Sequence, residues 1–268
     1  MPRELAVIGV PFHAGRRAGG LAQGPEAIIG EVGARAAWVE DPREVEHEAA
    51  RIFSITSALA GLVSQAVTTG RFPLVVTGNC NAALGVTAGM RPADVGIVWF
   101  DAHGDFNTPD TSTSGFFDGT ALATVTGGCW RAMASSVPGF APVPEASVVL
   151  AGVRDTDPLE QERLDASAIT VVPPGAALEP ALDALAGRCE VVYLHVDVDV
   201  LDPSVAAMNQ YAAPGGLTLE ALVDAIGAVA ARLPVGAASV SAFNPEVDGT
   251  SAARTAAAEI MRAVAAAA

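Results

Sequence analysis

The octapeptide Asp101-Ala102-His103-Gly104-Asp105-Phe106-Asn107-Thr108 carries three metal-competent side chains at a spacing of two, directly behind the apolar run Val95-Gly96-Ile97-Val98-Trp99-Phe100. If the extended pitch of that run continues, residues i, i+2 and i+4 share one face. Asp101, His103 and Asp105 would then converge on one small volume. No Lys or Arg lies among them, and carboxylates packed that closely repel unless a cation neutralises them. A second cluster, His195-Val196-Asp197-Val198-Asp199-Val200-Leu201-Asp202-Pro203, follows the apolar run Glu190-Val191-Val192-Tyr193-Leu194. Its valines alternate with His195, Asp197 and Asp199, so the acids would share a face while the valines pack the other way. Two acid-bearing strand ends in one chain predict a shared metal site rather than two polar turns.

The elements that must position these residues alternate along the chain. Short Val-rich runs at 5–10, 73–77, 95–100, 147–150, 169–172, 191–194 and 237–242 read as strands. Between them, 3.6-residue periodicity predicts helices, the longest from Glu44 to Thr69 with Gly70 as its stop and a last one from Ser251. A further helix follows the glycine-rich loop Phe12 to Pro25, with Pro25 near its first turn. The pattern predicts an α/β fold of three layers, α/β/α, with a mostly parallel, doubly wound sheet. Ligands in such sheets bind beyond the carboxyl ends of the strands, where Cys80, Asp101, His103, Asp105, Asp197 and Asp199 all fall. The glycine-rich loop is too long, and lacks the G-x-G-x-x-G spacing, for a dinucleotide site.

With no linker, repeat or charge run in its 268 residues, the chain reads as one domain, 1–268. Fifteen basic against thirty acidic residues leave a net charge of −15, which argues against nucleic acid or an anionic membrane as partner. No run of about 18 apolar residues offers a bilayer span, and the opening Met1-Pro2-Arg3-Glu4-Leu5 does not resemble a secretion signal. A cytoplasmic protein is expected. Cys80, Cys129 and Cys189 are odd in number and widely spaced, as reduced thiols rather than a disulfide framework would be. Of the remaining histidines, His195 reads as a hydrogen-bonded partner to the site or a core residue rather than a ligand, His13 equally as a residue near the site's mouth or a surface residue, and His47 as solvated.

Asp101-Ala102-His103-Gly104-Asp105 and Asp197-Val198-Asp199-Val200-Leu201-Asp202-Pro203 resemble the paired signatures of the arginase/ureohydrolase family. Ile8-Gly9-Val10-Pro11-Phe12, Gly19-Gly20, Gly24-Pro25 and Gly152-Val153-Arg154-Asp155-Thr156-Asp157-Pro158 extend the resemblance over nearly the whole chain. It implies a hydrolase with two Mn(II) ions: Asp101 and Asp197 bridging, Asp105 on one ion, His103 and Asp199 on the other. A water between the ions would lose its proton and attack a guanidino carbon. The resemblance also gives Asn107 and Ser114 to a substrate α-carboxylate and Asp157 to its α-amino group, hence an L-amino acid substrate.

Three positions depart from the family pattern. Cys80 stands where the family usually has a histidine ligand, and a coordinated thiol is deprotonated, which adds a negative charge to the shell. Asp118 takes the place of a proton-carrying histidine. Ala242 replaces a Glu that grips the guanidinium, with Glu246 nearby as a candidate substitute. This combination resembles a Cys-ligated branch of the family that serves antibiotic biosynthesis and hydrolyses Nω-hydroxy-L-arginine to hydroxyurea and L-ornithine. The alternatives are another ureohydrolase (arginase, formiminoglutamase, guanidinobutyrase) or a catalytically silent binding protein on the same fold. Because the chain ends within the Ala-rich stretch Ala252 to Ala268, a monomer is expected rather than the family's usual oligomer.

Overall fold

Among the described residues, eight strands pair in one sheet, each of these pairings parallel, in the order β2-β1-β3-β8-β7-β4-β5-β6. The computed structural model describes residues 3–42, 45–91, 93–247 and 251–268. The strands are β1 (Leu5–Val10), β2 (Ala37–Trp38), β3 (Phe72–Thr77), β4 (Val95–Phe100), β5 (Val148–Ala151), β6 (Thr170–Val172), β7 (Val191–Asp197) and β8 (Val235–Ser241). The helices are α1 (Gly20–Val32), α2 (Glu48–Thr68), α3 (Ala83–Gly89), α4 (Ala121–Val125), α5 (Arg131–Ala134), α6 (Pro158–Ala166), α7 (Glu179–Ala186), α8 (Leu219–Arg232) and α9 (Ala252–Ala266).

Continuous burial of β3 and β4 explains their unbroken apolar sequences, since a parallel strand covered on both faces has no side to give to water. Alternate residues serve opposite cores. Ile8, Val75, Ile97, Trp99 and Tyr193 pack with α2 and α3, while Val7, Leu74, Val76, Val98 and Leu194 pack with α1, α7, α8 and α9. The predicted three-layer α/β/α arrangement is therefore present, with a fully parallel sheet.

Several local expectations change. Helix α1 starts at Gly20, so Pro25 lies inside it rather than in its first turn. Pro25 has no N–H for the Leu21 carbonyl, which lies instead against Gly78, where a β-carbon would sit 2.7 Å away. Helix α2 begins at Glu48 rather than Glu44, which falls outside the described residues, and ends before Gly70 in the left-handed region at φ 74°. By length and composition alone α2 could cross a bilayer, contrary to the expectation from the sequence, but ten of its residues, Arg51 among them, are buried within the protein. Strand β2 was not foreseen; two residues carry no periodicity.

Candidate active site

Four neighbouring strands, β3, β8, β7 and β4, deliver the candidate residues at their carboxyl ends. Cys80 opens a single 3-10 turn three residues beyond β3, Asp101 follows β4, Asp197 ends β7, and Ala242 follows β8. The strand pitch assumed for the two acid clusters does not persist. Strand β4 stops at Phe100, Asp105 adopts a left-handed backbone at φ 47°, and Val198–Val200 forms a 3-10 turn after Asp197. The side chains converge because the chain turns, not because it stays extended.

All six predicted metal ligands line one cavity of about 500 Å³. Cys80 Sγ lies 3.0 Å from Asp197 Oδ2. His103 Nδ1 is 3.3 Å from Asp101 Oδ1 and 3.5 Å from Asp199 Oδ2. Asp197 Oδ1 accepts from the Asp199 N–H at 2.9 Å, and Asp101 accepts from the His103 N–H at 2.8 Å and the Trp99 indole at 2.9 Å. Asp101 shares ligand distance with His103 and Asp199 in one group and with Cys80 and His195 in another, the atoms of each lying within 4.8 Å of one another. Asp105 Oδ2 is buried with no hydrogen-bond partner among the described residues.

Electrostatics agrees with a site built for cations. Burial, then the charges of Asp101 and Asp118, push Asp105 well above the usual carboxylate range; burial, then Asp199 and Asp101, do the same to Asp197. Asp199 is also raised, by burial and by Asp101. Burial disfavours charge on His103, but hydrogen bonding to Asp101 and the charges of Asp199, Asp101 and Asp155 outweigh it and raise it to about 9. Burial and the surrounding acids push the Cys80 thiol up. An orphaned carboxylate oxygen beside acids that cannot all ionise is the signature of a missing positive charge, and this donor set of carboxylates, imidazole and sulfur suits divalent transition metals.

The departures fall at the same cavity. Asp118 accepts from Asn79 Nδ2 at 2.5 Å, Cys80 N at 3.1 Å and Asn81 N at 2.8 Å, so its carboxylate holds the turn that presents Cys80. Burial raises it to about 6 despite those bonds. Ala242 lines the cavity in a left-handed conformation at φ 64°. Glu246, proposed from sequence as a substitute acid, is exposed, bonds Gln23 and does not line the cavity. Asn107, Ser114 and Asp157 do line it. Asp157 accepts from Asn107 Nδ2 at 3.2 Å and Thr113 Oγ1 at 2.7 Å, while Ser114 Oγ accepts from the Phe116 N–H at 3.1 Å.

Sequence reasoning missed several contributors. Asn209 Nδ2 donates to Asp199 Oδ2 and to the Ala242 carbonyl, both at 3.0 Å, tying a candidate ligand to the loop after β8. Arg154 donates to the carbonyls of Asp199 at 2.9 Å and Ala213 at 2.8 Å. Phe116 and Tyr211 stack at 5.7 Å on the cavity wall. No spacing rule pairs such residues, because their neighbours come from remote segments. His195 is completely buried and bonded to hydroxyls, as expected, and burial lowers it to about 3, which keeps it neutral. His13 faces Phe116 at 5.9 Å, and all three cysteines are free.

Acids, a histidine and a thiol gathered at the carboxyl edge of a doubly wound parallel sheet define a metal-dependent enzyme of the α/β class. The chain belongs to the arginase family, whose pattern it matches over residues 3–266. It is 31% identical to the arginase of Bacillus subtilis (strain 168) over 260 residues, covering 84% of this chain and 87% of that one. It is 29% identical to the arginase of Bacillus caldovelox over 277 residues, covering 92% of each. The crystal structure of arginase from Bacillus subtilis superposes with a TM-score of 0.86 at 27% identity, covering 98% of both chains. The protein is accordingly a hydrolase of guanidino carbon–nitrogen bonds, a ureohydrolase.

Proposed function

We propose that this ureohydrolase takes an arginine-like L-amino acid, Nω-hydroxy-L-arginine, and two Mn(II) ions, releasing hydroxyurea and L-ornithine. Cys80, Asp101, His103, Asp105, Asp197 and Asp199 would hold the ions. Once bound, the ions supply Lewis acidity and a water ionised at neutral pH. Asn107, Ser114 and Asp157 orient the amino-acid end. Water adds to the guanidino carbon, the bond to the side-chain nitrogen breaks, and that nitrogen leaves with a proton; we assign its delivery to Asp118, which lines the cavity.

The observation that carries the substrate choice is Ala242. It brings no charge to the cavity wall beside Cys80, and the nearby acid Glu246 faces away. A guanidinium needs a fixed counter-charge there, whereas an N-hydroxyguanidine is a weaker base and needs space for its hydroxyl. We place the enzyme in the cytoplasm as a monomer. Assay of the Mn-loaded protein on L-arginine and Nω-hydroxy-L-arginine side by side tests the reading. Hydroxyurea release should be the faster; faster urea release from arginine overturns it in favour of arginase.

A further inference from the structure

Behind the Cys80 sulfur runs a buried row of polar groups that ligation does not explain. Ser241 Oγ lies 3.3 Å from Cys80 Sγ and 3.2 Å from His195 Nε2. On the other side of the imidazole, His195 Nδ1 is 2.8 Å from the Tyr193 hydroxyl and 2.9 Å from Ser239 Oγ, which are themselves 2.6 Å apart. Tyr193, His195, Ser239 and Ser241 have no exposed surface at all. The His195 ring stacks on Trp99 at 3.6 Å between centroids and 20° between planes, and the Trp99 indole N–H bonds Asp101. Parallel register between β7 and β8 sets the row, pairing His195 with Ser239 and Asp197 with Ser241.

Hydrogen bookkeeping gives the row a direction. A metal-bound sulfur carries no proton and can only accept. A neutral His195 has one ring hydrogen; placed on Nε2 it is aimed at Ser241 Oγ, with Nδ1 accepting from one of the two hydroxyls it faces, although those hydroxyls can also accept. Ser241 then accepts from the imidazole and keeps its own hydrogen for one of two acceptors, Cys80 Sγ or the Val196 carbonyl at 3.3 Å. A thiolate is the stronger acceptor.

We propose that Ser241, oriented by His195, is a positioning residue that donates a hydrogen bond to the Cys80 thiolate and tunes the ion this sulfur holds. The inference rests on Cys80 being a ligand. It answers the charge excess created by sulfur at that position: a donor drawing electron density from the thiolate offsets what an imidazole ligand would never have added.

Cobalt(II) substitution tests it, because a thiolate bound to Co(II) gives a near-ultraviolet charge-transfer band that reports the electron density on sulfur. In the full-length protein, Ser241→Ala should move the band to lower energy and weaken Co(II) and Mn(II) binding by about 10–100-fold in calorimetry. Ser241→Thr, which keeps the hydroxyl, should restore both. His195→Phe, which keeps a ring on Trp99 but has no N–H, should move the band in the same direction as Ser241→Ala; should it not fold, the two Ser241 variants decide alone. A wild-type band that Ser241→Ala leaves in place, with unchanged affinity, overturns this inference while leaving Cys80 a ligand. No band in the wild type, with Cys80→Ser binding metal as tightly, overturns the ligand assignment beneath it.

Discussion

On the proposed reading, position 242 is where one side chain separates two substrates. Ala242 lines the cavity without contributing charge, so Ala242→Glu should restore a grip on a guanidinium. The ratio of kcat/KM for L-arginine to that for Nω-hydroxy-L-arginine should rise by about 10-fold, the worth of ~1.4 kcal/mol from one charge-assisted hydrogen bond; steady-state assays on both substrates read it directly. Asp118→Asn should lower kcat by about 10²-fold, since the amide cannot carry the proton; it also loses an acceptor for the Asn79, Cys80 and Asn81 N–H groups, so an unchanged metal content in the purified variant is what assigns the loss to proton transfer. That the acids gather at one cavity was legible in the sequence, because acids at alternate positions after apolar runs have few other uses. Their partners were not: Asn209, Trp99 and Ser241 reach the site through sheet register and loop packing, which no local spacing encodes. Even the correct convergence of Asp101, His103 and Asp105 arises from a turn with a left-handed residue, rather than from an extended strand.

Helix α1 shows how one element answers to two neighbours. A β-carbon on Gly24 would lie 2.1 Å from the Phe243 carbonyl oxygen, next to Ala242, whereas one on Gly30 of the same helix would meet nothing within 4 Å. Gly24→Ala should therefore cost about 1–3 kcal/mol through overpacking against backbone. Gly30→Ala should add about 0.5–1 kcal/mol by removing unfolded-state freedom in a helix. Urea titration of the two variants should give midpoints on opposite sides of the wild type. Strand and helix types were readable from periodicity, and β1 and β4 matched to the residue. Boundaries set by tertiary contact were not, as the early start of α1 against Gly78 and Asn244 illustrates.

Across the whole molecule, buried acids make stability depend on pH and on cations together. Asp118 rises from 3.8 to about 6 on folding, and His103 from 6.5 to about 9. In both cases the folded state binds the proton more tightly than the unfolded chain, so the stabilisation is complete below the unfolded pKa and lost as pH rises through the folded one. Calorimetry in chelator should show the melting temperature falling across both windows, from 3.8 to about 6 and from 6.5 to about 9. Added Mn(II) should lift the upper end most, because cations replace the protons there and bind only the folded state. A flat profile, unmoved by Mn(II), would contradict that coupling.

The sheet order carries a consequence for biosynthesis. Strands β3 and β4 are consecutive in the chain, yet β8 and β7 lie between them, and these two are made last. On an emerging polypeptide the two halves of the ligand set stand apart until residues 191–241 leave the ribosome and wedge into the gap, a long-range closure of the kind that slows folding. Completion of the acid cluster is thus deferred until late in synthesis, and a chain terminated before β7 lacks Asp197 and Asp199 altogether.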